Sequence, residues 1–143
     1  MNTDKTSFEE YYKSIGKVYC PYFKEYIHFT DAGLKHIRFK NEHTVRTSKD
    51  RETRIRLVPI AVEIIGASHT LQDKTWQKRF EYRYVNSRKE LALTGVTCYE
   101  FLAIIKDLKA KVVIKQIENN KKIFLSVIPL FKQKMPLEQS DIL

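Results

Sequence analysis

Two periods divide the hydrophobic positions of this chain. In the first half the apolar residues recur at helical spacing. Ser7 followed by Glu10 is a capping-box pattern ahead of Tyr11 and Tyr12, and Gly16 suits the far end, so a short first helix is expected. "VYCPYFKEYIHF" is interrupted by Pro21 and then alternates, which predicts an irregular lead into a short strand over Tyr26 to Phe29. Thr30 or Asp31 caps a second helix carrying "GLKHIRFK", on which Leu34 and Ile37 share one face while His36 and Lys40 share another. After the loop "NEHTVRTSKD", Ile55, Val58, Val62 and Ile65 stand on one face of a core helix ending at Gly66, with Pro59 expected to kink or divide it.

The period then changes to two. "KRFEYRYV" sets Phe80, Tyr82 and Tyr84 against Arg79, Glu81 and Arg83, a half-buried strand. "VTCYEFLAII", "KAKVVIKQI" and "KIFLSVIPLF" follow, joined by the turn-like "KDL" and "ENNK". Within the last of these, Ile123, Leu125, Val127 and Phe131 share one parity and Phe124, Ser126 and Ile128 the other. The expected fold is α+β, with N-terminal helices packed on a C-terminal four-stranded antiparallel β-sheet. One domain is expected over residues 1–143, with residues 1–16 a peripheral helix and 132–143 a flexible tail.

Charge alters the picture more than composition does. Twenty-six Lys and Arg against 17 Asp and Glu leave +9 on 143 residues, a field that favours polyanions. Nucleic acid is the leading class of partner, the alternative being a basic surface kept for solubility, and charge by itself names no substrate. The start "MNTDKTSFEEYYK" lacks the basic end and apolar run of a secretory signal, and no stretch approaches membrane-spanning length, so a cytoplasmic protein with no membrane partner is expected.

The chemistry available is limited. Cys20 and Cys98 form no C-x-x-C pair, and His28, His36, His43 and His69 have no metal-ligand spacing. Phosphate-loop, dinucleotide, zinc-protease and serine-hydrolase signatures are missing, and neither metal nor cofactor is expected. What remains is a set of His, Arg, Lys and hydroxyl groups suited to cleaving RNA through its own 2′-hydroxyl. That reaction needs a base, charge stabilisation on phosphorus and an acid.

His36 fits the acid or base role in type, with Lys35, Arg38 and Lys40 around it to bind phosphate and to favour its neutral form. The alternative is a helix-surface histidine with no chemical task. From Lys35 to Arg56 there are eight Lys or Arg against three acidic residues, and Arg46 and Arg51 are the expected phosphate contacts. Arg54 and Arg56 read equally well as partners of Asp50 and Glu52 at helical spacing and are not assigned. Ser126 is a lone hydroxyl on an apolar strand, and Lys111 and Lys115 give the neighbouring strand a basic face. Tyr82, Tyr84 and Tyr99 are either base-stacking platforms or core aromatics.

The succession "VYCPYFKEYIHFTDAGLKHIRFK", "RETRIRLVPIAVEII" and "VTCYEFLAIIKDLKAKVVIKQIENNKKIFLSVIP" resembles uncharacterised phage and mobile-element proteins of the Barnase–EndoU–colicin–RelE type, a RelE-like group of nucleases with N-terminal helices on an antiparallel sheet. The resemblance spans about residues 17 to 131. It implies metal-independent RNA cleavage, often by a toxin that is paired with an acidic antitoxin or immunity protein. It carries over the helix histidine, here His36, and the last-strand hydroxyl, here Ser126. No obvious second histidine is expected in the four-stranded sheet, which leaves Lys115, Tyr99 or an arginine as the acid. A non-enzymatic RNA- or DNA-binding module, or an inhibitor acting through protein contacts, would use the same basic surface.

Overall fold

A computed structural model describes residues 2–41, 44–105 and 107–130. In chain order the elements are α1 (Asn2–Ile15), β1 (Lys17–Cys20), β2 (Glu25–His28), α2 (Asp31–Arg38), β3 (Phe39–Asn41), β4 (Thr44–Val45), α3 (Ser48–Ala67), β5 (Asp73–Val85), β6 (Arg88–Ile105), β7 (Leu108–Ile117) and β8 (Lys122–Pro129). The expected tail, Phe131 and His43 lie outside the described residues.

The sheet corrects the expected fold. It is six-stranded and mixed, in the order β1-β2-β8-β7-β6-β5, not four-stranded and antiparallel, and β3 and β4 form a separate two-stranded sheet. The expected meander is present as β5 to β8, all antiparallel. The added strands come from the segment around Pro21. There Lys24 takes a left-handed φ of 58° and its N–H donates to the Cys20 carbonyl at 2.8 Å, closing a β1–β2 hairpin. β2 then lies parallel to β8 through His28 and Ile123. Such pairing between distant segments leaves no local mark in the sequence.

The turns follow their residues. Asn86 and Ser87, at φ 52° and 66°, form the two-residue turn that matches the twist of β5 and β6. Asp107 and Asn119 hold positive φ at the next two connections. The β5–β6 ladder runs from Asp73↔Glu100 to Val85↔Arg88, while β6 meets β7 only from Val96 onward. Residues 79–94 therefore form a two-stranded ribbon projecting from the sheet.

The core helix is also shifted from expectation. α3 is continuous through Pro59, which is exposed; of the four expected core positions it buries Val58 and Ile65, leaves Ile55 and Val62 partly buried against the core, and adds Leu57, Ala61 and Ile64 to the stripe. These side chains join Phe101, Ala110, Val112 and Ile114 of the sheet in one core. Ridge-forming positions four apart explain the stripe, and the ring of Pro59 stays on the solvent side, out of the core.

α2 docks beside β8 through Leu34 and Ile37, and the approach is close because residue 33 is glycine. A Cβ at Gly33 would lie 2.8 Å from the Phe124 carbonyl oxygen and 2.9 Å from its ring. Tyr12 of α1 is buried, donates to the Thr30 carbonyl at 2.7 Å and packs on Phe29 and Phe124, whose rings stack at 4.6 Å. These contacts fix the helix that bears His36.

Candidate nucleic-acid cleft

His36 stands on α2 between two elements that the loop after it brings back. The backbone N–H of Arg46 donates to the Arg38 carbonyl at 2.9 Å, folding β3 and β4 against the end of α2. Thr47 then caps α3 by accepting from the N–H of Asp50 at 3.1 Å. The result places Arg46 beside His36. Its Nε donates to the His36 carbonyl at 2.8 Å, and its Nη2 faces His36 Nδ1 at 3.4 Å.

Asp50 organises the guanidinium groups from below. Oδ2 accepts from Arg46 Nη1 at 3.1 Å and Oδ1 from Arg54 Nε at 2.9 Å. Burial alone would raise the Asp50 carboxyl, but the hydrogen bonds from Arg54 and Arg46 outweigh it and hold the group below its usual range. Arg54 Nη1 continues to Ser126 Oγ at 2.9 Å and to the Val127 carbonyl at 3.3 Å. A chain of contacts thus runs from His36 to the last strand.

The open side of His36 is a cleft of about 600 Å³ lined by Ala32, Lys35, His36, Phe39, Asn41, Lys115 and Leu125, none of them acidic. His36 is depressed below its ordinary pKa by burial first, then by the charges of Arg46, Arg54 and Lys115. Both effects favour the uncharged imidazole. Arginine has only donors, so Nδ1 faces Arg46 as an acceptor and the ring proton resides on Nε2.

Of the residues singled out from the sequence, Lys35, His36 and Lys115 meet at this cleft. Lys115 also donates to Glu81 Oε1 at 3.0 Å, a half-buried ion pair that ties the ribbon to β7. Arg46 and Ser126 connect to the site from behind, both buried, and their polar groups are engaged within the protein.

The remainder lie elsewhere. Arg38 pairs with Glu9 of α1. Arg51 donates to the Arg46 carbonyl at 2.6 Å and to Ser48 Oγ at 3.3 Å, bracing the loop. Lys40 is exposed on β3 between Phe39 and Asn41, where the pairing with β4 is irregular, and it is not among the described residues that line the cleft. Tyr99 lies opposite Ile114, so alternation places it on the face away from Lys115. Its hydroxyl donates to Gln116 Oε1 at 3.1 Å and its ring packs on Phe23 at 4.7 Å, which removes it from acid chemistry at His36.

Arg54 is the site residue that sequence reasoning passed over. Its spacing from Asp50 was visible, but its contact with Ser126 depends on how α3 crosses β8. The signal was therefore present for the pair and silent for the site. Among the described residues no helix is long and apolar enough to cross a membrane. No family model, curated protein or solved structure matches the chain.

Proposed function

We propose that the protein binds RNA in the His36–Lys115 cleft and cleaves it without a metal ion. The observation that carries this reading is the meeting of His36, whose pKa is lowered, with Lys35 and Lys115 in a cleft that holds no carboxylate among the described lining residues. A phosphodiester fits that lining in charge. In the reaction the 2′-oxygen bonds to phosphorus, its proton leaves to solvent, the P–O5′ bond breaks and the 5′-oxygen is protonated. The products are a 2′,3′-cyclic phosphate and a 5′-hydroxyl.

His36 acts here as a donor. With Nδ1 accepting from Arg46, Nε2–H is free to hydrogen-bond a phosphoryl oxygen as its charge grows, beside the Lys115 cation. A base role fits less well, because a proton gained at Nδ1 would oppose the Arg46 N–H. An acidic antitoxin or immunity protein belongs to this reading as the partner that would restrain a toxin.

One observation favours a second reading. Arg46 and Arg54, the arginines nearest His36, make their hydrogen bonds inside the protein, as expected of a binding module that needs a rigid cleft and no proton transfer. Incubation of RNA with the purified protein in EDTA, beside His36→Ala, separates the two. Cyclic-phosphate ends formed by the wild type and lost in the variant support cleavage. RNA retained intact by both proteins, with and without ribosomes, and bound in a salt-sensitive manner, leaves the binding module.

A further inference from the structure

The ribbon formed by β5 and β6 carries a face of exposed rings and lysines. Strand alternation and the ladder register put Lys74, Trp76, Lys78, Phe80 and Tyr82 of β5 on one side with Lys89, Leu91 and Leu93 of β6. Asp73, Glu81 and Glu90 fall on the other side. Trp76 is 60% exposed, Phe80 67%, Tyr82 58%, and Leu91 and Leu93 56% each. A protein that buries Val112 and Ile114 completely leaves these five large side chains in water.

Trp76 has a particular pose. A Cβ at Gly95, the residue diagonal to it across the ladder, would meet indole atoms Nε1, Cε2 and Cζ2 at 2.8, 3.2 and 3.2 Å. These three atoms form the N–H edge of the indole, so the ring closes over the space that Gly95 leaves while 60% of the residue stays exposed. Lys89 Nζ is 5.1 Å from the centroid of Tyr82, placing a cation beside a second ring. Along β5, Lys74, Trp76, Lys78, Phe80 and Tyr82 follow one another at two-residue steps of roughly 6.6 Å.

We infer that this face is a platform for single-stranded nucleic acid, on which bases stack over Trp76, Phe80 and Tyr82 while Lys74, Lys78 and Lys89 meet the phosphates. Exposed rings suit bases of any sequence, and neighbouring lysines suit the backbone between them. A second copy of the chain is a poor occupant, since each copy carries +9 and would set three lysines against three with no acid between. The platform rests on the RNA reading only in extending the nucleic-acid surface away from the cleft. It requires no cleavage at His36.

The test uses the full chain and a labelled deoxyuridine oligonucleotide of about 20 nucleotides, long enough for the usual single-strand site. Lacking a 2′-hydroxyl, this probe cannot be cleaved by the route above, so failure of the platform and failure of the nuclease are read separately. Trp76 is the only tryptophan, and its fluorescence reports stacking directly. The expected result is quenching of Trp76 on binding and a loss of affinity of roughly tenfold or more in Phe80→Ala/Tyr82→Ala, since each stacked base contributes about 1–3 kcal/mol. Both substituted rings are mostly exposed, so folding is not at stake. Unquenched Trp76 with undiminished affinity in the double variant overturns the proposal and leaves the face to an acidic protein partner.

Discussion

Arg46 grips His36 at two points, donating Nε to its carbonyl at 2.8 Å and turning Nη2 toward its Nδ1 at 3.4 Å. One guanidinium therefore sets both the backbone position and the tautomer of the cleft histidine. Arg46 is itself only 6% exposed, and Asp50 is the carboxylate that balances it. Replacing Arg46 by Met should cost about 2–3 kcal/mol in urea denaturation, because the His36 carbonyl loses its donor and Asp50 keeps only Arg54. The His36 pKa should rise in the variant, although burial will still hold it below its ordinary value, and NMR titration of the ring protons reads that change directly.

The tautomer also determines the form of the pH–rate profile. A histidine that shuttles protons gives a bell or a plateau at its own pKa. A neutral donor fixed by Arg46 gives neither. If the 2′-hydroxyl loses its proton to solvent, cleavage in EDTA should rise steadily across the neutral range, and His36→Ala should lower it by about 10²–10³ without altering the slope, as loss of one transition-state donor does. A bell-shaped profile that disappears in the variant would restore the acid–base role and require Arg46 to release Nδ1.

Stability should decline on acidification in two stages. The folded His36 pKa is lowered from 6.5, first by burial and then by Arg46, Arg54 and Lys115. The unfolded chain therefore binds a proton that the folded one refuses. Stability falls as pH drops below 6.5 until the folded pKa is reached. Asp50, lowered by its two arginines against the pull of burial, contributes stability that is present above its unfolded value of 3.8 and is lost as pH falls through its folded pKa. Chemical denaturation from pH 8 to 3 should show both stages in the wild type. The first should shrink in His36→Phe.

The docking of α2 gives the sharpest packing test. Gly33 has room for no side chain, since a Cβ would lie within 2.9 Å of both the Phe124 carbonyl oxygen and its ring. In an ordinary helix Ala for Gly is favourable by about 1 kcal/mol. Here overpacking should reverse the sign, and Gly33→Ala should destabilise the protein by about 1–3 kcal/mol and displace His36 from Lys115. A stabilised variant in thermal unfolding would show that α2 is free to shift.

What the sequence revealed follows from range. Helix starts such as Thr30 depend on neighbours, and period-two alternation located β5 to β8, although it began β5 at Lys78 and β6 at Val96 and missed residues 73–77 and 88–95. The parallel partnership of β2 with β8 has no such local source, so the sheet was read two strands short. The last strand failed for a related reason. Its register shifts between Val113 and Ile114, leaving Leu125 without a partner, so Phe124 and Val127 are both buried despite opposite parity. At the site, His36, Lys35 and Lys115 were legible as residue types, because the cleft needs cations and an imidazole. The inward engagement of Arg46 and the assignment of Tyr99 to the opposite face were not, because each depends on how distant elements cross.

The Lys115–Glu81 pair makes the last prediction, because it sets a carboxylate against a cation that the cleft offers to phosphate. The two side chains are 16% and 18% exposed and 3.0 Å apart, so neither is simply a solvated surface charge. Glu81→Gln keeps a hydrogen-bonding group there and removes the charge that neutralises Lys115. RNA binding should tighten, and the slope of log affinity against log salt should steepen by about one, as for one further phosphate contact. Lys115→Gln should weaken binding and flatten the slope. If Glu81→Gln leaves both affinity and slope unchanged, Lys115 does not meet phosphate, and the cleft loses the cation on which its chemistry depends.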